Sequence, residues 1–121
     1  MRHINELSEQ VIGAAIAVHQ ELGPGMMERI YEKCLALRLR KRGIPFERQK
    51  HLPVPFDGRY LDLGFRVDLL VDRRLVVELK AVNAVLPIHR TQLLSYVRLS
   101  GCHLGLLVNF KVPSSGSASR G

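Results

Sequence analysis

The chain is poor in cysteine, in long apolar runs and in acidic residues, and each shortage narrows what it can be. Only Cys34 and Cys102 are present among 121 residues, neither in a Cys-x-x-Cys or Cys/His zinc spacing and both among apolar neighbours. That excludes a disulfide framework and leaves both as small core residues. The N-terminus has too little continuous apolar sequence for a signal peptide or a membrane span, so the expected location is the cytoplasm and no membrane partner is expected. No internal repeat is visible. Asp and Glu number 11 against 18 Lys and Arg, a net charge of +7 with a pI near 10.0. A basic surplus of this kind favours polyanionic partners, most often nucleic acid, through phosphate contacts and counterion release.

What is present suits one soluble domain. A hydrophobic fraction of 46% and a charged fraction of 24% are ordinary for a globular protein, and the length can bury a core without covalent staples. We expect residues 1–113 to form that domain. The stretch 114–121, small, polar and without apolar periodicity, is expected to be a disordered tail or an expression remnant.

Leu7, Val11, Ala14, Val18 and Leu22 recur at spacings of three and four, predicting a helix from Asn5, as its N-cap, to Leu22, closed by Gly23. A second helical pattern runs from Met26 to Arg42 and stops at Gly43. Its last turn carries "RLRKR", which a solvated helix end explains as well as a phosphate contact does. Residues 44–54, with Pro45 and Pro53, read as an edge strand before the turn "FDG". Two stronger strands follow, Tyr60 to Val71 and Leu75 to Val82, joined by "DRR" as a hairpin. A third helix from Pro87 to Ser100 and a strand in "HLGLLVNF" complete the order. The result is an α/β sandwich with strands of mixed direction.

The hairpin carries the chemistry. Side chains alternate faces along a strand, so Val76, Glu78 and Lys80 share one side and Leu75, Val77 and Leu79 the other. Pairing Val71 with Leu75 across the turn places Asp68 opposite Glu78. Like charges there destabilise a ladder unless one is protonated or a cation lies between them. Carboxylate oxygens suit Mg²⁺ or Mn²⁺, and Lys80 stands on the same face, a set able to hydrolyse a phosphodiester. An ion-pair cluster of Asp68, Glu78 and Lys80 at a partly solvated edge accounts for the same spacing. His89, Gln92 and Tyr96 form a polar stripe on the third helix, and Glu28 and Tyr31 stand one turn apart on the second.

Taken together, "GMMERIY", "GFRVDLLV", "VVELKAV" and "PIHRTQLLSYVRLSG" resemble the GxxExxY family, small prokaryotic-type proteins placed in the PD-(D/E)XK nuclease superfamily. Gly25, Glu28 and Tyr31 match the signature in the family's name, and the resemblance covers roughly the first 113 residues. It implies a restriction-endonuclease-like αβββαβ core, a mixed central sheet flanked by helices, with an additional N-terminal helix. It further implies a Mg²⁺- or Mn²⁺-dependent nuclease acting on nucleic acid, DNA above all. Asp68 and Glu78 are then catalytic metal ligands, Lys80 the catalytic lysine, and the Leu79 carbonyl a further metal ligand. Glu28 matches a supporting helix glutamate. Gln92 and Tyr96 match a Gln-x-x-x-Tyr pattern that positions DNA, with His89 and Tyr31 as supporting residues. Val67 stands where the superfamily name has proline, a position that varies widely. The same fold also hosts non-catalytic nucleic-acid-binding or regulatory modules. Cutting both strands of a duplex is easiest for a homodimer with two sites.

Overall fold

A computed structural model of the chain describes residues 2–111 and the backbone of 118–120. The first helix, α1, spans Ile4–Leu22 and presents Leu7, Val11, Ala14 and Val18 inward at the predicted spacing. Its N-cap is His3 rather than Asn5: the His3 Nδ1 accepts the Asn5 N–H at 3.1 Å, doing for the free amide what an asparagine side chain was expected to do. Helix α2, Glu28–Lys41, buries Tyr31, Leu35 and Leu39, and its last turn is basic, as the dipole favours.

Strand β1, Phe46–His51, lies antiparallel to β4, Arg66–Val71, which turns back into β5, Leu75–Lys80. Between them a separate two-stranded hairpin is inserted, β2 at Val54–Phe56 and β3 at Arg59–Leu61. The run expected as one strand from Tyr60 to Val71 is therefore broken. Asp62 Oδ1 accepts the Gly64 N–H at 3.1 Å and Gly64 adopts φ 80°, a local turn that aliphatic patterning does not report.

Helix α3, Pro87–Ser100, carries the chain from β5 to the parallel strand β6, Leu104–Asn109, as a parallel pair requires. At the far edge Ala118–Arg120 forms β7, antiparallel to β6. That strand lies within the stretch whose composition predicts a tail; backbone bonding to a sheet edge needs no apolar pattern. Positions 114–117 and 121 of that stretch lie outside the described residues.

The sheet order β1-β4-β5-β6-β7 is covered on both faces. Leu69, Val71, Leu75, Val77, Leu106 and Val108 pack with α1 and α2, while Leu70, Val76 and Leu107 pack with Leu93 and Val97 of α3. Helix α2, β1, β4, β5, α3 and β6 make the αβββαβ core of a restriction-endonuclease-like fold, with α1 added in front.

Gly105 sets how closely α3 approaches. A Cβ there would lie 2.6 Å from Val97 Cγ2 and 2.8 Å from Leu93 Cδ1, inside van der Waals contact. Gly105→Ala is expected to destabilise the protein by about 1–3 kcal/mol through overpacking, read as a lowered melting midpoint.

Candidate active site

The predicted register holds, and it stops where the charges begin. Val71 pairs with Leu75 and Leu69 with Val77, the last pair of the β4–β5 ladder. The turn is tight, with Arg74 N–H on the Val71 carbonyl at 3.0 Å and positive φ at Asp72 and Arg73. Beyond Leu69, β4 continues to pair with β1 alone, so the two strands part at Asp68 and Glu78.

Each carboxylate then takes a backbone amide that the ladder has released. Glu78 Oε1 accepts the Asp68 N–H at 2.9 Å, and Asp68 Oδ2 accepts the Leu79 N–H at 2.7 Å. Neither bond removes the repulsion between the side chains. Burial, and then the negative charge of Asp68, push the Glu78 carboxyl up to about 8. Burial also raises Asp68, helped by Glu32 and Glu28 and opposed by its bonds from Leu79 and Gln49. The positive charge of Lys80 only partly offsets this at Glu78.

Lys80 faces the same opening and its charge draws Glu78 downward, yet none of the ion pairs among the described residues joins it to Asp68 or Glu78. That disfavours a closed ion-pair cluster. The Lys80 carbonyl accepts Phe110 N–H from the β6 side. Carbonyls alternate along a strand, so the Leu79 carbonyl is turned toward the β4 side, where its own N–H meets Asp68.

Helix α2 contributes two carboxylates rather than a carboxylate and a tyrosine. Glu28 is exposed and its Oε1 accepts the Ala81 N–H at 3.1 Å, beside the end of β5. One turn on, Glu32 is buried and holds Arg48 Nε and Nη2 at 3.1 and 3.0 Å through one oxygen and Gln49 Nε2 at 2.6 Å through the other. The same Gln49 nitrogen reaches Asp68 Oδ1 at 3.3 Å. Gln49 drops out of the β1–β4 ladder with φ 49°, an uncommon conformation for this residue, which places its amide between two carboxylates. Glu32 and Gln49 therefore orient Asp68, and sequence analysis missed both. The Glu-x-x-x-Glu spacing in "ERIYE" was a visible signal for Glu32; nothing local pointed to Gln49.

Tyr31 faces the opposite way. It is fully buried, stacked on Phe110 with centroids 4.2 Å apart. Its hydroxyl donates to the Gly23 carbonyl and accepts the Met26 N–H, pinning the "GPG" connection. It supports the entry to α2 and is closed to any nucleic acid. His89 caps α3, its Nδ1 accepting the Leu86 N–H at 3.0 Å. Tyr96 comes close to the carboxylates: burial and then the charges of Glu78 and Asp68 raise its phenol above the ordinary 10.0. Gln92 lies one turn before it, exposed on the same helix.

A family model described as the PD-(D/E)XK nuclease superfamily matches residues 5–120. The chain belongs to that superfamily. Members of the PD-(D/E)XK superfamily are in general hydrolytic nucleases that act on nucleic acid, typically with divalent metals such as Mg²⁺. No curated protein and no solved structure gives a significant match. Among the described residues no helix is long and apolar enough to cross a membrane, and no group of three or more His, Cys, Asp or Glu is gathered that could hold a metal. The donor chemistry of the pair itself nonetheless fits Mg²⁺, which is commonly held by one or two carboxylates and keeps several waters. A cation there would relieve the repulsion that raises Glu78 and Asp68.

Proposed function

We propose that this chain is a Mg²⁺- or Mn²⁺-dependent nuclease of the GxxExxY type that hydrolyses phosphodiester bonds in nucleic acid, DNA in the first instance, in the cytoplasm. The observation that carries this reading is the parting of β4 and β5 at two mutually repelling carboxylates, Glu78 buried and Asp68 half-buried, beside a lysine that no ion pair among the described residues joins to either.

Asp68, Glu78 and the Leu79 carbonyl would hold the cation, with Glu28 behind them. When bound, the ion supplies a lowered water pKa and positive charge against the phosphate. Lys80 donates to a non-bridging phosphate oxygen and steadies the charge that builds there. Tyr96 and Gln92 position the sugar-phosphate backbone from α3. Gln49, braced by Glu32 and Arg48, keeps Asp68 from rotating out of place. Cutting both strands of a duplex would take two such chains, paired as a homodimer.

The test is a cleavage assay on single- and double-stranded DNA and on RNA, with Mg²⁺ or Mn²⁺ against EDTA. Cleavage that needs either metal is expected; wild-type protein inert on every substrate with both metals would sink the reading. The net charge of +7 also suits a second reading, a non-catalytic nucleic-acid-binding module. It calls for binding that persists in EDTA, weakens steeply with salt and is never followed by cleavage.

A further inference from the structure

The β2–β3 hairpin stands outside the five-stranded sheet, and none of its side chains joins either core cluster. Asp57 and Gly58, at φ 53° and 75°, form its turn, as an Asp-Gly pair does in the tightest hairpins. Pro55 pairs with Tyr60 and Phe56 with Arg59, so an aromatic side chain projects from each face. Tyr60 is 79% exposed and Phe56 59%. An open cleft of about 380 Å³ lies along the hairpin, lined by Pro55, Phe56, Arg59 and Tyr60 among others. Folding does not account for the aromatics: a two-stranded hairpin gains stability by packing against something, and both rings stay mostly exposed and outside the core clusters.

The surrounding charge says what could cover them. Arg59 and Arg66 are exposed and take part in no ion pair among the described residues. Lys50 and His51 are exposed nearby on β1, each within 4 Å of one carboxylate, Glu47 and Asp62. Of the two acidic residues in the hairpin region, Asp57 occupies the turn itself, and Asp62 Oδ1 accepts the Gly64 N–H and lies 3.8 Å from His51 Nδ1. Exposed aromatic rings set among arginines are the means by which proteins hold unpaired bases and their phosphates.

A third exposed aromatic, four residues after β3, borders the helix that carries Tyr96. Phe65, 41% exposed, meets Tyr96 edge-on with centroids 6.2 Å apart, and its carbonyl accepts the Leu52 N–H at 2.9 Å, which fixes the loop. Tyr96 packs against the cluster of Val67, Leu70 and Val76, on the two strands that carry Asp68 and Glu78. A paired base shows no free face to such rings; an unpaired one does.

We propose that the β2–β3 hairpin and Phe65 form a two-sided stacking platform that a single nucleic-acid strand straddles on its way into the carboxylate site, with one base on Tyr60 on one face, one on Phe56 beside a phosphate on Arg59 on the other, and a third on Phe65. The inference deepens the nuclease reading by naming its substrate class, and rests on that reading for where the strand goes. A single strand needs only one chain.

Binding of a fluorescein-labelled 15-mer, single-stranded or duplex, to the Asp68→Asn protein in EDTA tests it by anisotropy. Adding Phe56→Ala and Tyr60→Ala should weaken the single strand by about 10- to 100-fold and the duplex by less than about twofold, and Tyr60→Trp alone should retain single-strand affinity. Both side chains are exposed, so melting midpoints should stay unchanged and confirm that the fold is intact. Unchanged single-strand affinity overturns the proposal, as does an equal loss on both oligonucleotides. So does loss of self-association in sedimentation with nucleic-acid binding intact, which would make the hairpin a contact between copies. If the hairpin variants lose single strands while wild type cleaves nothing with either metal, the platform stands and the nuclease reading falls.

Discussion

Replacing Asp68 with asparagine is expected to leave a folded protein whose metal-dependent cleavage is slowed on the order of 10²–10³-fold or more. The amide keeps an oxygen to accept the Leu79 N–H and removes a negative charge from beside Glu78, at the loss of the long 3.3 Å bond from Gln49, so the fold is expected to survive. What it loses is a charged ligand. Glu78→Gln should behave alike, retaining an acceptor for the Asp68 N–H. Lys80→Met, which keeps an unbranched apolar stem at a half-buried position, should slow cleavage without changing metal binding. Single-turnover rates with melting curves on the same samples separate these effects. Full activity in a well-folded Asp68→Asn protein would remove the hairpin from the chemistry.

The second large effect is on stability against pH in the metal-free protein. Glu78 has an ordinary value of 4.5 and about 8 in the fold, so between those values the folded state holds more protons than the unfolded. Its contribution is complete below 4.5 and is lost as pH rises through 8. Asp68 is shifted in the same direction. Unfolding free energy should therefore fall by on the order of 3–5 kcal/mol between pH 5 and pH 9 from Glu78 alone. Glu78→Gln, which cannot ionise, should flatten that fall and be more stable than wild type at pH 9. Mg²⁺ should stabilise wild type more at pH 8 than at pH 6. Denaturant melts at several pH values check this; parallel profiles for wild type and Glu78→Gln would count against the buried pair.

The parts of the fold that were legible in the chain are those whose cause is local. The ends of α1 and α3 follow from Gly23, Pro87 and Gly101, and the β4–β5 register follows from a three-residue turn whose flanking aliphatics admit one alignment. That register alone brought Asp68 to Glu78. Gln49 was invisible because its role depends on β1 pairing with β4 some twenty residues away in sequence, and on a backbone conformation that no residue type announces. Tyr31 was misplaced by a smaller margin. Three helical positions leave neighbouring side chains about 60° apart, enough for Glu28 to reach the sheet edge while Tyr31 turns into the core. His89 lay in a polar stripe that looked like a surface, but its position in the first turn of α3 made it a cap. The β2–β3 hairpin was announced only by "FDG", because Pro53 and Pro55 obscure the alternation that marks a strand.

Titrating Mn²⁺ by calorimetry into wild type and into the Asp68→Ala, Glu78→Ala double variant tests the central claim most directly, repeated at pH 7 in buffers of different ionisation heat. The account predicts saturable binding to wild type with proton release, since the cation displaces the proton that burial and Asp68 hold on Glu78, and no binding to the double variant. Binding of equal strength in both proteins, or none in wild type, would contradict it.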